Sequence, residues 1–509
     1  MSDDRTPVIV GVGRITDKGR PLDQLPGPMG LLEMAAERAF DDAGLLRAKA
    51  AGLDTIALVK CFRESTPNSP ASLARRLGAD KAQGWLMPDG GNGPQYLVNR
   101  YAEAIAKGEN ELVLIAGCEP KDSVRRLKKA GLPIDWSEGP DNEAEFLVPD
   151  AKMSNGYEQA HGVWLAATVY AMIENGLRHH YGRTIEDHQL AMGRLFARFS
   201  EVAAQTDGAW FPQRRTAEEI ATPTADNRMV NWPYTKLMNA FNNVDQSAAI
   251  LMTSLGKAKT WGVPADRIVY LHGCADAFEP MLISERQNYH ACPAIRVMGE
   301  KALGMAGIGM DEIDHIDLYS CFPSAVEVAC DELGIAADDP RPLTVTGGLP
   351  YHGGAGNNYV TTSIAAMVDK VRGAPGSKGL VTANGGYLTK HAAGIYSTDP
   401  SPAHDGSGWA RENPAVYQAE LDALPVPPVV KAAEGEAVVE TYTVVFGRDG
   451  APAAGILFGR LGDGSDPMAP RFVANTPKDP DLLTAMTRED FIGRSGAVTN
   501  ADRLNVMRF

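Results

Sequence analysis

The sequence has no cysteine pair at CxxC spacing and no His-Glu-x-x-His run. Its six cysteines, Cys61, Cys118, Cys274, Cys292, Cys321 and Cys330, are scattered over 509 residues. That pattern reads as reduced thiols in a cytoplasm, not as a disulfide framework. The histidines show no ligand spacing. His179 and His180 are neighbours that would point different ways on a helix, so no metal site is expected. No stretch approaches the ~18 apolar residues of a membrane span. The opening MSDDRTPVIVGVG carries acid where a signal peptide needs base. Positive charge is in deficit, with 49 Lys and Arg against 64 Asp and Glu and a net charge of −15. Nucleic acid, whose phosphates would be repelled, is therefore not an expected partner. One local basic cluster, Arg125, Arg126, Lys128 and Lys129, runs against this trend. It reads either as a contact for a phosphorylated ligand or as a solvated loop.

What is present is an ordinary globular composition, 44% hydrophobic and 22% charged, in a chain long enough to bury more than one core. The chain is organised around Pro88 to Gly117. Gly90, Gly91 and Gly93 let the backbone turn and leave N–H groups open. Val98, Tyr101, Ala102 and Ile105 follow at helical spacing, and Leu112 to Ile115 is an apolar run expected of a strand buried on both faces. The unit returns at His352 to Gly385. Gly90-Gly91-Asn92-Gly93 matches Gly353-Gly354-Ala355-Gly356 at an offset of 263. The blocks ending at Leu45 and Ile308 share that offset, and Leu53–Phe62 matches Ile313–Phe322 at 260. These collinear blocks indicate an internal duplication of one α/β half-unit.

In chain order, a strand is expected at Pro7 to Val12, a helix at Met29 to Ala43 ending on Gly44, and a strand at Asp54 to Val59. A helix follows from Ser69-Pro70 to Leu77. Strand–helix alternation of this kind implies a mainly parallel sheet covered by helices. From Cys118 to about Phe241 the pattern changes to helical runs, Gly162 to Asn175 and Glu186 to Ala204, joined by polar connections. The segment reads as an insertion of the kind that covers a ligand site. Val244 to Ala258 resumes the core, and a strand is expected at Arg267 to Gly273. The second copy supplies a helix at Ala294 to Ala306 and a strand at Ile313 to Tyr319. The Pro-rich stretch Ala423 to Lys431 marks a boundary. Beyond it Ala437 to Phe446, Ala454 to Leu461 and Arg471 to Ala474 alternate as strands, with a turn at Arg448-Asp449-Gly450. About 80 residues of short strands suggest a small barrel of the OB kind, serving interaction or packing.

These blocks, with GGNGPQ, VDQSAAILMTS, YSCF and GGLPYHGGAGN in this order, resemble the thiolase superfamily over roughly residues 7 to 400. With the β-rich tail the chain is similar to the thiolase-like protein type 1 branch, often labelled acetyl-CoA acetyltransferase. The resemblance implies an α/β duplicated thiolase fold of five αβαβα layers. Its thiolase halves would be 1–117 with 242–280 and then 281–400, with an inserted loop domain at 118–241, a linker at 401–430 and an OB-like domain at 431–509. It further implies acyl-CoA as ligand, no cofactor beyond the CoA thioester, and a homodimer.

The chemistry carries over residue by residue. A thiolase nucleophile sits at a helix N-terminus, which favours the thiolate. The family CxSG pattern falls on Gly90-Gly91-Asn92-Gly93 and CxGGG on Ala383 to Gly386, so both cysteines are absent. The GHP histidine falls near Pro350, two positions from His352. The HDCF motif appears as Tyr319-Ser320-Cys321-Phe322. The resemblance thus gathers Tyr319, Cys321, Tyr351, His352 and His391 as catalytic candidates. Gly90, Gly91, Asn92, Gly353, Gly354 and Asn384 are the ligand-binding candidates. Covalent acyl transfer lacks its nucleophile. Tyr and His together suit acid–base work, such as retro-aldol cleavage of a β-hydroxyacyl-CoA. A non-catalytic CoA-binding scaffold is the other reading. Each candidate also has a plain structural role open to it. Cys321 repeats Cys61 as a small apolar residue, His352 caps a helix, and Lys390-His391 is a surface pair.

Overall fold

The computed structural model describes residues 3–400 and 408–509; the first seven residues of the linker expected at 401–430 lie outside them. The chain opens with β1 (Pro7–Thr16), α1 (Gly27–Asp42), β2 (Thr55–Val59), α2 (Ser69–Leu77), β3 (Gln83–Met87), α3 (Gly93–Lys107) and β4 (Leu112–Pro120). The glycine loop feeds directly into α3, whose Pro94 suits a first helical turn and whose C-terminus stops on left-handed Gly108. Strand β3 escaped the sequence reading because its QGWLM text is half-exposed and does not alternate cleanly.

A long insertion follows. It contains α4 (Lys121–Ala130), α5 (Gly156–Ala160), α6 (Ala166–His180), α7 (Ile185–Ala203), α8 (Ala217–Ala221) and the short strands β5 (Met229–Asn231) and β6 (Tyr234–Thr235). The basic cluster lies on α4, not on a loop. There Arg125 pairs with Asp122, Arg126 donates to the Arg20 carbonyl, and Lys128 and Lys129 are exposed. The chain then returns to the core with β7 (Asp245–Ser254), α9 (Leu255–Thr260), β8 (Val269–Phe278) and α10 (Pro293–Ala306). Next come β9 (His315–Asp317), α11 (Pro323–Leu333), α12 (Gly348–Tyr351), α13 (Tyr359–Gly373), β10 (Gly379–Gly385) and β11 (Lys390–Ser397). Strand β9 is shorter than expected because the backbone leaves the sheet at Leu318, whose N–H donates to the Leu343 carbonyl.

The core strands run in the order β3-β2-β4-β7-β1-β8-β11-β10-β9. Apart from the edge strand β3, the order is a mirror about the β1–β8 junction, where Val8 faces Tyr270 and Ile9 faces Val269. The duplication read from the sequence is therefore a duplication of topology. Close packing repeats too. A Cβ on Gly11 would overlap the Ala39 carbonyl of α1, and one on Gly273 would overlap the Ala302 carbonyl of α10. Helix α13 is buried around most of its circumference, including Thr361, Thr362 and Ser363, as befits a helix enclosed between layers.

The tail forms β12 (Gly435–Phe446), β13 (Pro452–Leu461), β14 (Arg471–Asn475), β15 (Ser495–Ala501) and β16 (Leu504–Arg508). These close into a five-stranded barrel through the β12–β13 pairing. The barrel does not hang from a linker. Strand β12 pairs with β5 at Val445 and Asn231, and the Tyr442 carbonyl accepts the Asn175 amide of α6 at 2.7 Å. Arg471 is fully buried, and its guanidinium donates to Glu440, the Ser284 carbonyl and the Gln287 carbonyl. Removing one member of such a buried charge network costs about 3–5 kcal/mol. Among the described residues no helix is long and apolar enough to cross a membrane.

Candidate active site

A cavity of about 420 Å³ opens where the first glycine loop, the turn after β9, the end of β10 and the start of α6 converge. Tyr319, Cys321, Gly90, Gly91 and Asn384 all line it, together with Gly356 from the second glycine loop. Five of the candidates taken from the sequence thus meet in one place.

Tyr319 is held by its own N–H, which donates to the Thr382 hydroxyl on β10 at 3.1 Å, and by an edge-on contact with the Tyr359 ring. Its hydroxyl reaches over Gly91. A Cβ at Gly91 would overlap that hydroxyl and stand 2.6 Å from the Asn384 carbonyl. Gly90 has φ +154, and a Cβ there would overlap the Asn92 amide oxygen and stand 3.0 Å from Lys390 Nζ. A side chain at Gly91 would run into Asn384 backbone, and one at Gly90 would have to displace the Asn92 and Lys390 side chains. The Gly90 N–H is also taken, donating to Asn357 Oδ1 at 3.0 Å. Asn357 in turn donates to Asp89, which pairs with Lys60 at 3.0 Å.

Cys321 follows in the same turn, and its carbonyl accepts the Ala240 N–H from the insertion. Phe322 lies between two insertion tyrosines, stacked on Tyr170 at 4.6 Å and on Tyr234 at 5.3 Å. Tyr170 accepts from Asn384 Nδ2 at 2.7 Å and donates to the Gly386 carbonyl. The Asn384 Oδ1 and both amide atoms of the buried Asn92 have no partner among the described residues. Burial pushes the Cys321 thiol up to about 12, and it raises the Tyr319 hydroxyl too, with Cys321 adding a smaller repulsion. Both groups keep their protons at neutral pH. In that state each can donate a hydrogen bond or a proton and neither is primed as nucleophile or base.

The remaining candidates lie elsewhere. The left-handed pair Gly347-Gly348, at φ 104 and 75, launches α12 and carries Tyr351 and His352 away from Tyr319. His352 lines a separate polar cavity with Arg14 and Asp369, and its carbonyl accepts the Trp210 N–H and the Gln246 amide. Burial pushes its imidazole down to about 4, with the Arg14 charge adding. It is the C-cap residue of α12, its N–H donating to the Gly348 carbonyl, and it does not share the Tyr319 cavity. Tyr351 lines a third cavity, and its hydroxyl donates to the Leu237 carbonyl. His391 is buried on β11, with Nε2 3.3 Å from the Cys292 sulfur. Lys390 is buried as well and donates to the Asp89 carbonyl. The two are not a surface pair. Gly353 packs on Gln246 and Val244, and Gly354 on Asn242 and Leu349; neither lines the cavity.

Sequence reasoning missed Tyr170, Asp89, Lys121 and Trp164, all of which line the cavity. Tyr170 and Trp164 belong to the insertion, which has no second copy to be compared with. Asp89 carried a signal, standing one residue before the glycine loop.

The family model for the thiolase-like protein type 1 additional C-terminal domain matches residues 417–503. Two fold-level likenesses are the Ltp2-ChsH2(DUF35) aldolase, at 20% identity over 78% of this chain and 98% of that chain with a TM-score of 0.59, and acetyl-CoA acetyltransferase from Syntrophomonas wolfei, at 17% identity over 77% and 99% with a TM-score of 0.55. No curated protein sequence matches. The crystal structure of a monomeric SCP2-thiolase like protein type 1 from Mycobacterium smegmatis is 39% identical over 100% of both chains, with a TM-score of 0.85. The homodimer expected from the wider superfamily finds no support in that monomeric relative. One edge of the core sheet is also covered here, since the Leu86 N–H of β3 donates to the Glu145 carbonyl and the Leu147 N–H to the Leu86 carbonyl. With identity of that level running the full length of both chains and the barrel matched as well, this chain belongs to the SCP2-thiolase-like protein type 1 family.

Proposed function

We propose that the chain binds a CoA thioester with its acyl end in the Tyr319–Cys321 cavity and works on it without a covalent intermediate, cleaving the bond between the α and β carbons of a β-hydroxyacyl-CoA. The observation that carries this reading is the Tyr319 hydroxyl standing over Gly91, beside Gly90, the position where the resemblance places the thiolase nucleophile. Tyr319 donates to the thioester oxygen and stabilises the enolate that forms as the C–C bond breaks. Asp89, the carboxylate on the cavity wall, takes the hydroxyl proton as the β carbon becomes a carbonyl. The Cys321 thiol returns a proton to the α carbon and is itself reprotonated from Asp89 through water in the cavity, so both groups end the turnover as they began it. Lys121, on the same wall and 4.9 Å above the Phe62 ring, offers a cation to the CoA phosphates. The aldolase and acetyltransferase likenesses support carbon–carbon chemistry on thioesters, and the six free cysteines fit a reducing compartment such as the cytoplasm. Ordinary acyl transfer, the label the wider resemblance suggests, lacks its thiolate.

The test is product analysis of β-hydroxyacyl-CoAs incubated with the protein. The expected products are acetyl-CoA and a free carbonyl compound. Tyr319→Phe should lower turnover by about 10²–10⁴-fold and leave thioester binding in place. Unchanged turnover in that variant removes Tyr319 from the mechanism. A second reading, a non-catalytic CoA binder, is favoured by the position of His352 outside the cavity, which leaves the expected Tyr–His pair unformed. Binding with no conversion of any thioester would select it.

A further inference from the structure

Glu174 on α6, His188 on α7 and Glu327 on α11 converge behind the aromatic stack of Tyr170, Phe322 and Tyr234. One ligand atom from each lies within 4.8 Å of the other two. We propose that these three residues bind one divalent transition metal, Zn²⁺ or Mn²⁺, which clamps the inserted helices to the second half of the core. Two carboxylates and an imidazole form a donor set suited to such ions.

The supporting shell is in place. Glu174 Oε2 accepts the Tyr234 hydroxyl at 2.7 Å, which leaves Oε1 facing His188 Nε2 at 2.7 Å. Glu327 Oε1 accepts from Arg183 at 3.1 Å. Its other oxygen, Oε2, is shut off from solvent, receives no N–H or hydroxyl donor among the described residues, and faces the Glu174 carboxyl. Each carboxylate therefore has one oxygen anchored and one turned inward, the division of labour seen around bound metals. Glu174 and His188 are 0% and 1% exposed, and Glu327 is less fully buried.

Glu174 and Glu327 face each other here, with Arg183 on Glu327 and the buried Arg178 close by. A divalent cation would offset the two carboxylates brought together. A metal on His188 Nε2 places the imidazole proton on Nδ1. Arg183, now 3.3 Å from Nδ1, would then turn wholly to Glu327. The ligands are 14 and 139 positions apart in the chain, so no local spacing announces them. The site is separate from the Tyr319 cavity and does not depend on the reaction proposed for it.

The full chain, stripped with chelator and dialysed, is titrated with ZnCl₂ and MnCl₂ by calorimetry, with elemental analysis and thermal unfolding in parallel. One equivalent should be retained, with a midpoint that rises with metal and falls back with EDTA. Glu327→Gln and His188→Gln should each weaken binding at least tenfold while the metal-free circular dichroism stays that of the parent. His180→Ala removes half of the stacked surface pair with His290, whose rings are 4.1 Å apart, and should change nothing. Failure to retain metal would overturn the proposal and leave a shared proton between the carboxyls. So would loss of binding in His180→Ala with retention in both ligand variants, which would mark an adventitious ion only.

Discussion

The two copies of the half-unit share a skeleton and divide the chemistry. Strands, covering helices and glycine loops repeat across the β1–β8 junction, and even the contact of Gly11 with α1 recurs as Gly273 with α10. The first copy gives the cavity Asp89 and a bare loop at Gly90 and Gly91, whereas the second gives it Tyr319, Cys321 and Asn384. Where the second copy has Tyr319 the first has Val59, a buried strand residue. What is common to both copies holds the fold, and what differs between them makes the site.

The largest test of that division is a paired substitution at the shared skeleton. Gly11→Ala and Gly273→Ala should each destabilise by about 1–3 kcal/mol, read by denaturant unfolding, because both force a methyl into a helix carbonyl. A large effect at only one of them would break the symmetry. Next, Gly90→Cys puts back the thiolase nucleophile by type. Its left-handed backbone and the crowding by Asn92 and Lys390 should cost about 1–3 kcal/mol. Intact-mass analysis with acetyl-CoA should detect no acyl-enzyme. A smaller effect concerns His352, which stands where the first copy has Asp89. Its folded-state pKa is depressed, to about 4. The unfolded chain therefore takes up a proton as pH falls below about 6.5, while the folded chain does not until about 4. Stability is fully present above that window and drops through it by up to about 1.4 kcal/mol per pH unit. His352→Gln should flatten this part of the profile, and an unchanged slope would remove His352 as its source.

Most of the skeleton was legible because repetition doubles the signal. The glycine loops, the Tyr319–Phe322 block and the α1 and α10 ends all align at nearly one offset, so position in one copy located the other. The tail also read as strands from the alternation of Ala437 to Phe446, although β15 and β16 were missed. Their text, SGAVTNA and LNVMR, is largely exposed on one side. Two kinds of feature stayed hidden. Tyr170 and Trp164 come from the unrepeated insertion, and β12 pairing with β5 joins segments about 200 residues apart. His352 was placed with Tyr319 because it lies two positions from the motif. The left-handed turn at Gly347 and Gly348 sends it into another cavity, an outcome set by two dihedral angles and not by spacing.

The most direct test of the central claim is thermal unfolding of the full chain with CoA, acetyl-CoA and longer or β-hydroxylated acyl-CoAs at millimolar concentration. A ligand held only by the folded state at 100 times its dissociation constant adds about 2.7 kcal/mol, enough to move the midpoint by several degrees. Such a shift is expected, equal in the parent and in Tyr319→Phe. An unmoved midpoint with every thioester would contradict it.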